Sequence, residues 1–156
     1  METIIGLGNA GCNIAEKFLQ YTQYSIYLLD SEERDVPGAK FHLIEQQTSH
    51  MAYEQACPAL SQYFSNIDTS CLLIVGGSGM ISGCVLRVLE QLSHLNISVL
   101  YIKPDIDLLS HTKKLQNNVV FGVLQEYARS AVLEKFYVVQ NSKLVEILGD
   151  LPVIGY

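Results

Sequence analysis

Short apolar runs alternate along this chain with longer stretches in which apolar residues recur three and four positions apart. The short runs are typical of buried strands, and the longer stretches are typical of helices with one buried face. The predicted strands cover residues 3–7, 25–29, 41–44, 71–75, 97–102 and 136–139. The predicted helices cover residues 11–21, 49–64, 85–92, 112–133 and 141–148. This alternation favours a parallel sheet whose strands are connected by crossover helices.

The order of these elements predicts a single α/β domain over residues 1–156. Right-handed crossovers wind such a sheet outward from its first strand in both directions, so that helices cover both faces. The expected fold is therefore α/β, a doubly wound, mostly parallel sheet of the Rossmann type. We also expect Pro58 to bend or divide the helix over 49–64. The helix over 112–133 is expected to bury a stripe that carries Leu115, Val119, Val123 and Tyr127.

Composition and charge narrow the possible functions. Hydrophobic residues make up 49% of the chain and charged residues 17%, and the net charge is −6. An acidic chain lacks the basic face that a nucleic-acid backbone requires, although a helix N-terminus can still hold a single nucleotide. Met1 is not followed by a basic signal segment, and glycines and Arg87 interrupt the most apolar region, 71–89. We therefore expect a cytoplasmic protein that binds neither nucleic acid nor membrane.

Neither a metal site nor a catalytic nucleophile is indicated by the sequence. The cysteines and histidines are scattered without the spacing of metal ligands, so we expect buried, reduced thiols and no metal. Ser78 lies between Gly77 and Gly79 without the G-x-S-x-G spacing of a nucleophile elbow. The charged run over 32–35 is interpreted as a solvated loop. No residue is therefore assigned a catalytic role.

Two glycine-rich turns carry the chemistry that the sequence suggests. The first, Gly6-Leu7-Gly8-Asn9-Ala10-Gly11, lies directly after a strand and opens a helix. There, free backbone N–H groups of residues 9–12 would face an anion at the positive end of the helix dipole. The second turn, over 76–83, follows the strand over 71–75. Because turns of this kind face each other across the switch point of a doubly wound sheet, the pair predicts a clamp for a polyphosphate.

Four segments, taken in order, resemble the tubulin/FtsZ family of GTP-binding cytoskeletal proteins. Residues 5–13, IGLGNAGCN, look like the first glycine loop of that family. Residues 76–81, GGSGMI, look like a divergent copy of its signature G-G-T-G-T/S-G. Residues 98–104 look like the family's strand that ends in Lys-Pro. Residues 138–144 are similar to the I-P-N-D-K-L segment, whose Asn touches the guanine base. The order of these segments extends the resemblance over nearly the whole chain.

The resemblance implies an N-terminal GTP-binding domain that holds GTP or GDP, with or without Mg²⁺. Backbone groups of the two turns would hold the phosphates, Asp107 is a candidate for a ribose contact, and Asn13 and Asn141 would lie toward the base. The implied nucleotide-binding residues are Gly8, Asn9, Ala10, Gly11, Cys12, Asn13, Gly76, Gly77, Ser78, Gly79, Asp107 and Asn141.

The chain also departs from the family pattern. Met80 and Ile81 stand where the signature ends in Thr or Ser and then Gly, and Ile81 adds bulk beside the expected γ-phosphate. A further glycine loop is not recognisable in the shortened region between Asp30 and Asp68. The sequence stops near the start of the family's long central helix, before the second subdomain and its acidic loop. We therefore expect a divergent or truncated member that assembles with itself or a protein partner, and that hydrolyses GTP only if catalytic acids come from elsewhere.

Two other functions remain open. Asp30 ends the second strand about twenty residues after Gly11, where an NAD-type Rossmann domain places the acid that binds the adenosine ribose. That interpretation leaves the second glycine turn unexplained. Alternatively, the chain keeps the fold without a nucleotide and acts as a structural or interaction protein, for example a component of a phage virion or a filament.

Overall fold

The computed structural model describes residues 2–77 and 79–140. In that part of the chain, the strands are β1 (Glu2–Leu7), β2 (Tyr24–Asp30), β3 (Lys40–Leu43), β4 (Ser70–Gly76), β5 (Asn96–Lys103) and β6 (Leu133–Gln140). The α-helices are α1 (Gly8–Glu16), α2 (His50–Gln55), α3 (Val85–Gln91) and α4 (His111–Arg129). Short 3₁₀ segments cover Lys17–Gln20, Met80–Cys84 and Ile106–Leu108. The helix predicted over 141–148 lies outside the described residues.

The described strands form one sheet in the order β3-β2-β1-β4-β5-β6. Every pairing in it is parallel. Because β2 and β4 flank β1, the sheet winds outward from the first strand in both directions, which is the strand order of the Rossmann fold. The predicted doubly wound α/β fold is therefore confirmed.

Helices cover both faces of the sheet, each over its own core. On one face, α1 packs Cys12 and Ala15 against Ile4, Ile26 and Leu28. On the other face, α2, α3 and α4 contribute to a larger core. The strand side chains that point to this face are buried in it. Successive residues of a strand point to opposite faces, so the continuous apolar runs of β1 and β4 supply both cores.

The helix predicted over 49–64 is much shorter in the structure. Ser49 caps α2 by accepting a hydrogen bond from the Ala52 N–H at 3.0 Å, and the helix ends at Gln55. Pro58 lacks the N–H of a helix interior and disfavours helical geometry at the residue before it. Regular helix therefore stops before the proline, so the second half of this prediction is wrong.

The buried face of α4 differs from the predicted stripe. Leu115 and Val119 are 53% and 56% exposed, whereas Val123 and Tyr127 are half-buried and Tyr127 packs against the core. The fully buried positions are Gln116, Asn117, Val120 and Leu124. The helix is therefore rotated so that two amide side chains enter the interior, which an apolar pattern cannot indicate. Among the described residues, no helix is long and apolar enough to cross a membrane.

Candidate nucleotide-binding site

The first glycine turn is a direct junction between β1 and α1. The helix begins at Gly8, earlier than the predicted Gly11, and Gly8 has φ +78°, a left-handed conformation that favours glycine. No side chain caps the helix, and its first turn contains no acidic residue. Because helical N–H groups bond to the carbonyl four residues earlier, those of Gly8, Asn9 and Ala10 are left without a partner in the helix. The N–H groups of Gly11 and Cys12 fall within the regular helical pattern instead.

Close packing fixes α1 against the two central strands. A Cβ atom on Gly11 would lie less than 3.0 Å from the carbonyl oxygen of Ile74 on β4. A Cβ atom on Gly6 would lie 2.7 Å from the carbonyl oxygen of Gly11. Both contacts are with backbone, so a side chain at either position would push the helix off the sheet. The glycines therefore let the start of α1 lie directly over β1 and β4.

The second glycine turn lies beside the first at the carboxyl ends of β1 and β4. Leu7 pairs with Val75 in the sheet, so the chain leaves both strands at the same level. A Cβ atom on Gly76 would lie 3.0 Å from the Cβ of Ala10. The structure thus brings together two turns that are far apart in the sequence, at the switch point where Rossmann folds bind ligands.

Hydrogen bonds made by residues of β5 surround Gly77 in the second glycine turn. The Gly77 N–H donates to the Ile102 carbonyl at 3.2 Å, so this N–H is not free for a phosphate. Tyr101 is fully buried, and its hydroxyl donates to Asn117 Oδ1. A Cβ atom on Gly77 would collide with that hydroxyl and lie 2.5 Å from Asn117 Oδ1. Glycine is needed here because there is no space for a side chain.

Ile81 reaches from the 3₁₀ segment Met80–Cys84 across to the first turn. A Cβ atom on Gly8 would lie 2.7 Å from Ile81 Cγ2, and Ile81 is only 8% exposed. Positive φ angles among the described residues occur only at Gly8, Gly38 and Ala131, so the backbone at Ile81 needs no left-handed conformation. An apolar side chain therefore covers the glycine at the helix start, beside the position expected for a γ-phosphate.

Arg34 forms hydrogen bonds with polar side chains of α1 and with Asp30 at the end of β2. Its Nε donates to Asp30 Oδ2 at 2.9 Å, and Nη1 donates to Glu16 Oε2 at 2.9 Å. The same Nη1 contacts Asn13 Oδ1 at 3.1 Å, and Nη2 donates to Asn9 Oδ1 at 2.8 Å. Together these bonds join the end of β2 to side chains along the whole length of α1, from Asn9 to Glu16.

The sequence interpretation missed this role of Arg34. The run over 32–35 was expected to be a solvated loop, but the Arg34 side chain is only 13% exposed, so for this residue the expectation is wrong. The contacts connect residues up to 25 positions apart, and no local pattern signals them. The cluster unites Asn9 and Asn13, predicted for a guanine nucleotide, with Asp30, predicted for NAD.

Replacing Arg34 by methionine should lower the free energy of unfolding by about 3 kcal/mol, because Asp30 would be left buried without its cation. Asp30 is only 7% exposed. The measurement is urea unfolding followed by circular dichroism, and adding Asp30→Asn should restore part of the loss. The matched control is Arg87→Met, whose partner Glu90 is 3.2 Å away on the surface and whose loss should cost less than about 1 kcal/mol. Equal losses from the two variants would contradict this assignment.

The other predicted site residues have different surroundings. Cys12 is buried, with its Sγ 3.4 Å from the Leu29 carbonyl, and burial raises its pKa to about 12, so the thiol stays neutral. Gly79 accepts a hydrogen bond from Ser82 Oγ at 2.7 Å through its carbonyl. Asp107 is exposed in the 3₁₀ segment after β5, and it forms no hydrogen bond with the described parts of either glycine turn. Ser78 and Asn141 lie outside the described residues.

No group of three or more His, Cys, Asp or Glu side chains that could hold a metal occurs within 2–77 and 79–140.

Comparisons with known proteins find similar structures, but they find no sequence family that matches this chain. No family model matches the chain, and no curated protein matches its sequence. An FtsZ dimer of M. jannaschii, described as empty, superposes with a TM-score of 0.75 over 97% of this chain at 15% identity. A short-chain dehydrogenase/reductase of Burkholderia vietnamiensis superposes with a TM-score of 0.58 at 12% identity, covering 99% of this chain and 94% of that one.

These likenesses show a Rossmann-like fold. The chain spans 48% of the length of the FtsZ structure, so it corresponds to about half of that chain. The FtsZ likeness, which has the higher TM-score, supports a tubulin/FtsZ-like fold, and the dehydrogenase likeness supports the general Rossmann-like architecture. At such low identity the fold carries over but the ligand does not.

Proposed function

We propose that this protein binds a guanine nucleotide at the two facing glycine turns, as the resemblance to the tubulin/FtsZ family implies. The observation that carries the proposal is the position of the uncapped start of α1 beside the end of β4. Backbone N–H groups at a helix N-terminus, with the helix dipole behind them, form a site for phosphate. The likeness to the FtsZ structure over 97% of the chain supports the same choice.

In this proposal the backbone of Gly8, Asn9 and Ala10 holds the phosphates of GTP or GDP, with or without Mg²⁺. The remaining residues of the two turns line the phosphates, Asp107 contacts the ribose, and Asn13 and Asn141 lie toward the base. Asn13 already accepts a hydrogen bond from Arg34 at 3.1 Å, so base binding there requires the arginine to share or release it. No catalytic residue is included; hydrolysis would need acids from a partner or from a further segment. We extend the proposal to self-association or a protein partner, since the similar FtsZ structure is described as a dimer.

The test is a titration with a fluorescent GTP analogue, competed by GTP, GDP, ATP and NADH. Displacement by GTP and GDP alone is the expected result. Asn9→Asp should weaken binding about tenfold or more, because an isosteric carboxylate at the helix start repels phosphate while Arg34 still holds the side chain. Asn118→Asp adds the same charge at an exposed position of α4 and should leave the affinity unchanged. Equal affinity of the two variants would remove α1 from the proposed site.

The NAD-type alternative is supported by the dehydrogenase likeness and by the position of Asp30 at the end of β2. Its difficulty is that both carboxylate oxygens of Asp30 already accept a hydrogen bond. Oδ1 accepts from the Ser31 N–H at 2.8 Å, and Oδ2 accepts from Arg34 at 2.9 Å. A ribose hydroxyl would have to share these oxygens with Ser31 and Arg34. Displacement of the analogue by NADH alone would favour this function, and no binding at all would favour a structural or interaction protein.

A further inference from the structure

A buried tyrosine packs against the backbone of the second glycine turn. Tyr101 belongs to β5, and its side chain is fully buried. A Cβ atom on Gly77 would collide with the Tyr101 hydroxyl, and that position is only one bond away from the Gly77 Cα. The hydroxyl therefore touches Gly77 at the place where any other residue would carry its side chain.

The same hydroxyl has a partner on α4. It donates to Asn117 Oδ1, and the main-chain carbonyl oxygen of Asn117 lies 3.5 Å away. Asn117 is only 2% exposed, and its Oδ1 would lie 2.5 Å from a Cβ atom on Gly77. Burial raises the pKa of Tyr101, so the hydroxyl stays protonated and remains a donor. A strand, a helix and a glycine turn thus meet at one hydrogen bond.

The position of the tyrosine is fixed by the residues around it. Its ring centroid lies 5.5 Å from that of Phe121, which follows Asn117 by one turn of α4. The next residue of β5, Ile102, accepts a hydrogen bond from the Gly77 N–H at 3.2 Å. Gly77 is therefore held through its N–H by one residue of β5 and through its Cα by the hydroxyl of the preceding residue.

Packing alone does not require polar atoms at this place. Burying a hydroxyl and an amide costs free energy that their hydrogen bond only offsets, and phenylalanine with leucine would fill a comparable volume. What the polar pair adds is direction, because a buried hydrogen bond fixes where its two partners lie relative to each other. That direction is supplied beside the turn that faces the start of α1.

We propose that Tyr101 and Asn117 are positioning residues, whose hydrogen bond fixes the backbone at Gly77 and so orders the second glycine turn for the terminal phosphates of a nucleotide. Neither side chain would touch the nucleotide, because both are buried in the interior. The fixing of Gly77 concerns the protein alone, whereas the effect on phosphates rests on the proposed function.

Hydrogen exchange of single amides, followed by NMR of the isotope-labelled full chain, tests the first part without a nucleotide. In Tyr101→Phe the Gly77 amide should exchange about tenfold faster or more, because the turn opens more easily once its contact is lost. The Ile44 amide, which donates to the Asp30 carbonyl at 2.8 Å after another strand, should keep its rate.

Two further variants separate the pair from a general loss of core packing. Asn117→Leu should accelerate Gly77 exchange as Tyr101→Phe does, and the double variant should go no further than the larger single effect, because both changes break one bond. Tyr27→Phe is the matched control. Tyr27 is 2% exposed, and its hydroxyl accepts from Lys40 Nζ at 3.2 Å on the far side of the sheet, so its loss should leave Gly77 exchange unchanged.

The second part is tested by the fluorescent GTP titration, made where melting curves show each variant to be folded. Tyr101→Phe should weaken GTP binding about tenfold and GDP binding less than about threefold, because GDP lacks the terminal phosphate. Tyr27→Phe should change neither affinity. A general loosening of the fold would weaken both nucleotides alike.

The outcomes distinguish the two parts. A Gly77 amide that keeps its wild-type rate in Tyr101→Phe and Asn117→Leu would overturn the positioning role, and so would equal acceleration at Ile44. Faster exchange at Gly77 with equal losses of GTP and GDP affinity would overturn the role toward the terminal phosphates. A wild-type chain that binds no GTP would refute the proposed function, and the exchange rates would still decide whether the pair fixes Gly77.

Discussion

Replacing Gly11 by alanine should destabilise the protein by about 3 kcal/mol, one of the largest losses expected from a single added methyl group. The new Cβ would lie less than 3.0 Å from the Ile74 carbonyl oxygen and 3.5 Å from Val75 Cα. Both atoms belong to the backbone of a central strand, which cannot turn aside as a flexible side chain can. Helix α1 would have to lift away from β1 and β4, and the core beneath it would lose contact with the sheet.

Urea unfolding followed by circular dichroism measures this loss. The matched control is Gly122→Ala on α4, where an added Cβ has nothing within 4 Å. The same change should stabilise the protein there by about 0.5–1 kcal/mol, because alanine favours helix over glycine. If Gly11→Ala shifts the free energy of unfolding no more than Gly122→Ala does, the close approach of α1 to β4 is wrong.

This packing also limits what Gly11 can reveal about ligands. The sequence predicts that a bulky residue at Gly11 abolishes nucleotide binding, and the structure adds a reason that does not involve a nucleotide. A variant that loses both fold and affinity cannot distinguish a phosphate cradle from a tight turn. The isosteric pair Asn9→Asp and Asn118→Asp is the better probe, since neither side chain enters the core.

Much of the architecture could be predicted because parallel strands covered on both faces leave a continuous apolar signal. The run over 71–75 predicts the middle of β4, and the glycines after it predict where the strand ends. The first turn was equally clear, because Gly6 and Gly11 are spaced for a helix that packs tightly on its strand. The adjacency of the two turns followed from the order of the elements.

The parts that could not be predicted depend on contacts between distant segments. Arg34 lies in an acidic, polar run, and only the folded chain shows that it joins Asp30 to Asn9. Burial of Gln116 and Asn117 on α4 contradicts the apolar stripe because Asn117 meets Tyr101 from a strand. Such partners are set by tertiary structure, so a pattern along one helix carries no trace of them.

Ile81→Gly should separate stability from nucleotide affinity if the guanine-nucleotide proposal is right. Ile81 is a buried core residue, so its removal should lower the free energy of unfolding by about 3–4 kcal/mol. The same change clears the space above Gly8 and should tighten binding of GTP about tenfold or more, with a smaller gain for GDP, because in the proposed site the γ-phosphate would lie nearest to this side chain. Affinity therefore rises while stability falls, which no general loosening of the fold would produce.

The measurement is the fluorescent GTP titration, made at a temperature where melting curves show each variant to be folded. Val85→Ala is the control, because it removes buried volume from the same core at the start of α3 without a contact to Gly8. It should lower stability by about 2 kcal/mol and leave GTP affinity unchanged. Unchanged affinity in Ile81→Gly would mean that the phosphates do not approach Gly8, so the site would have to lie away from the first turn. A gain for both variants would instead attribute tighter binding to a loosened core.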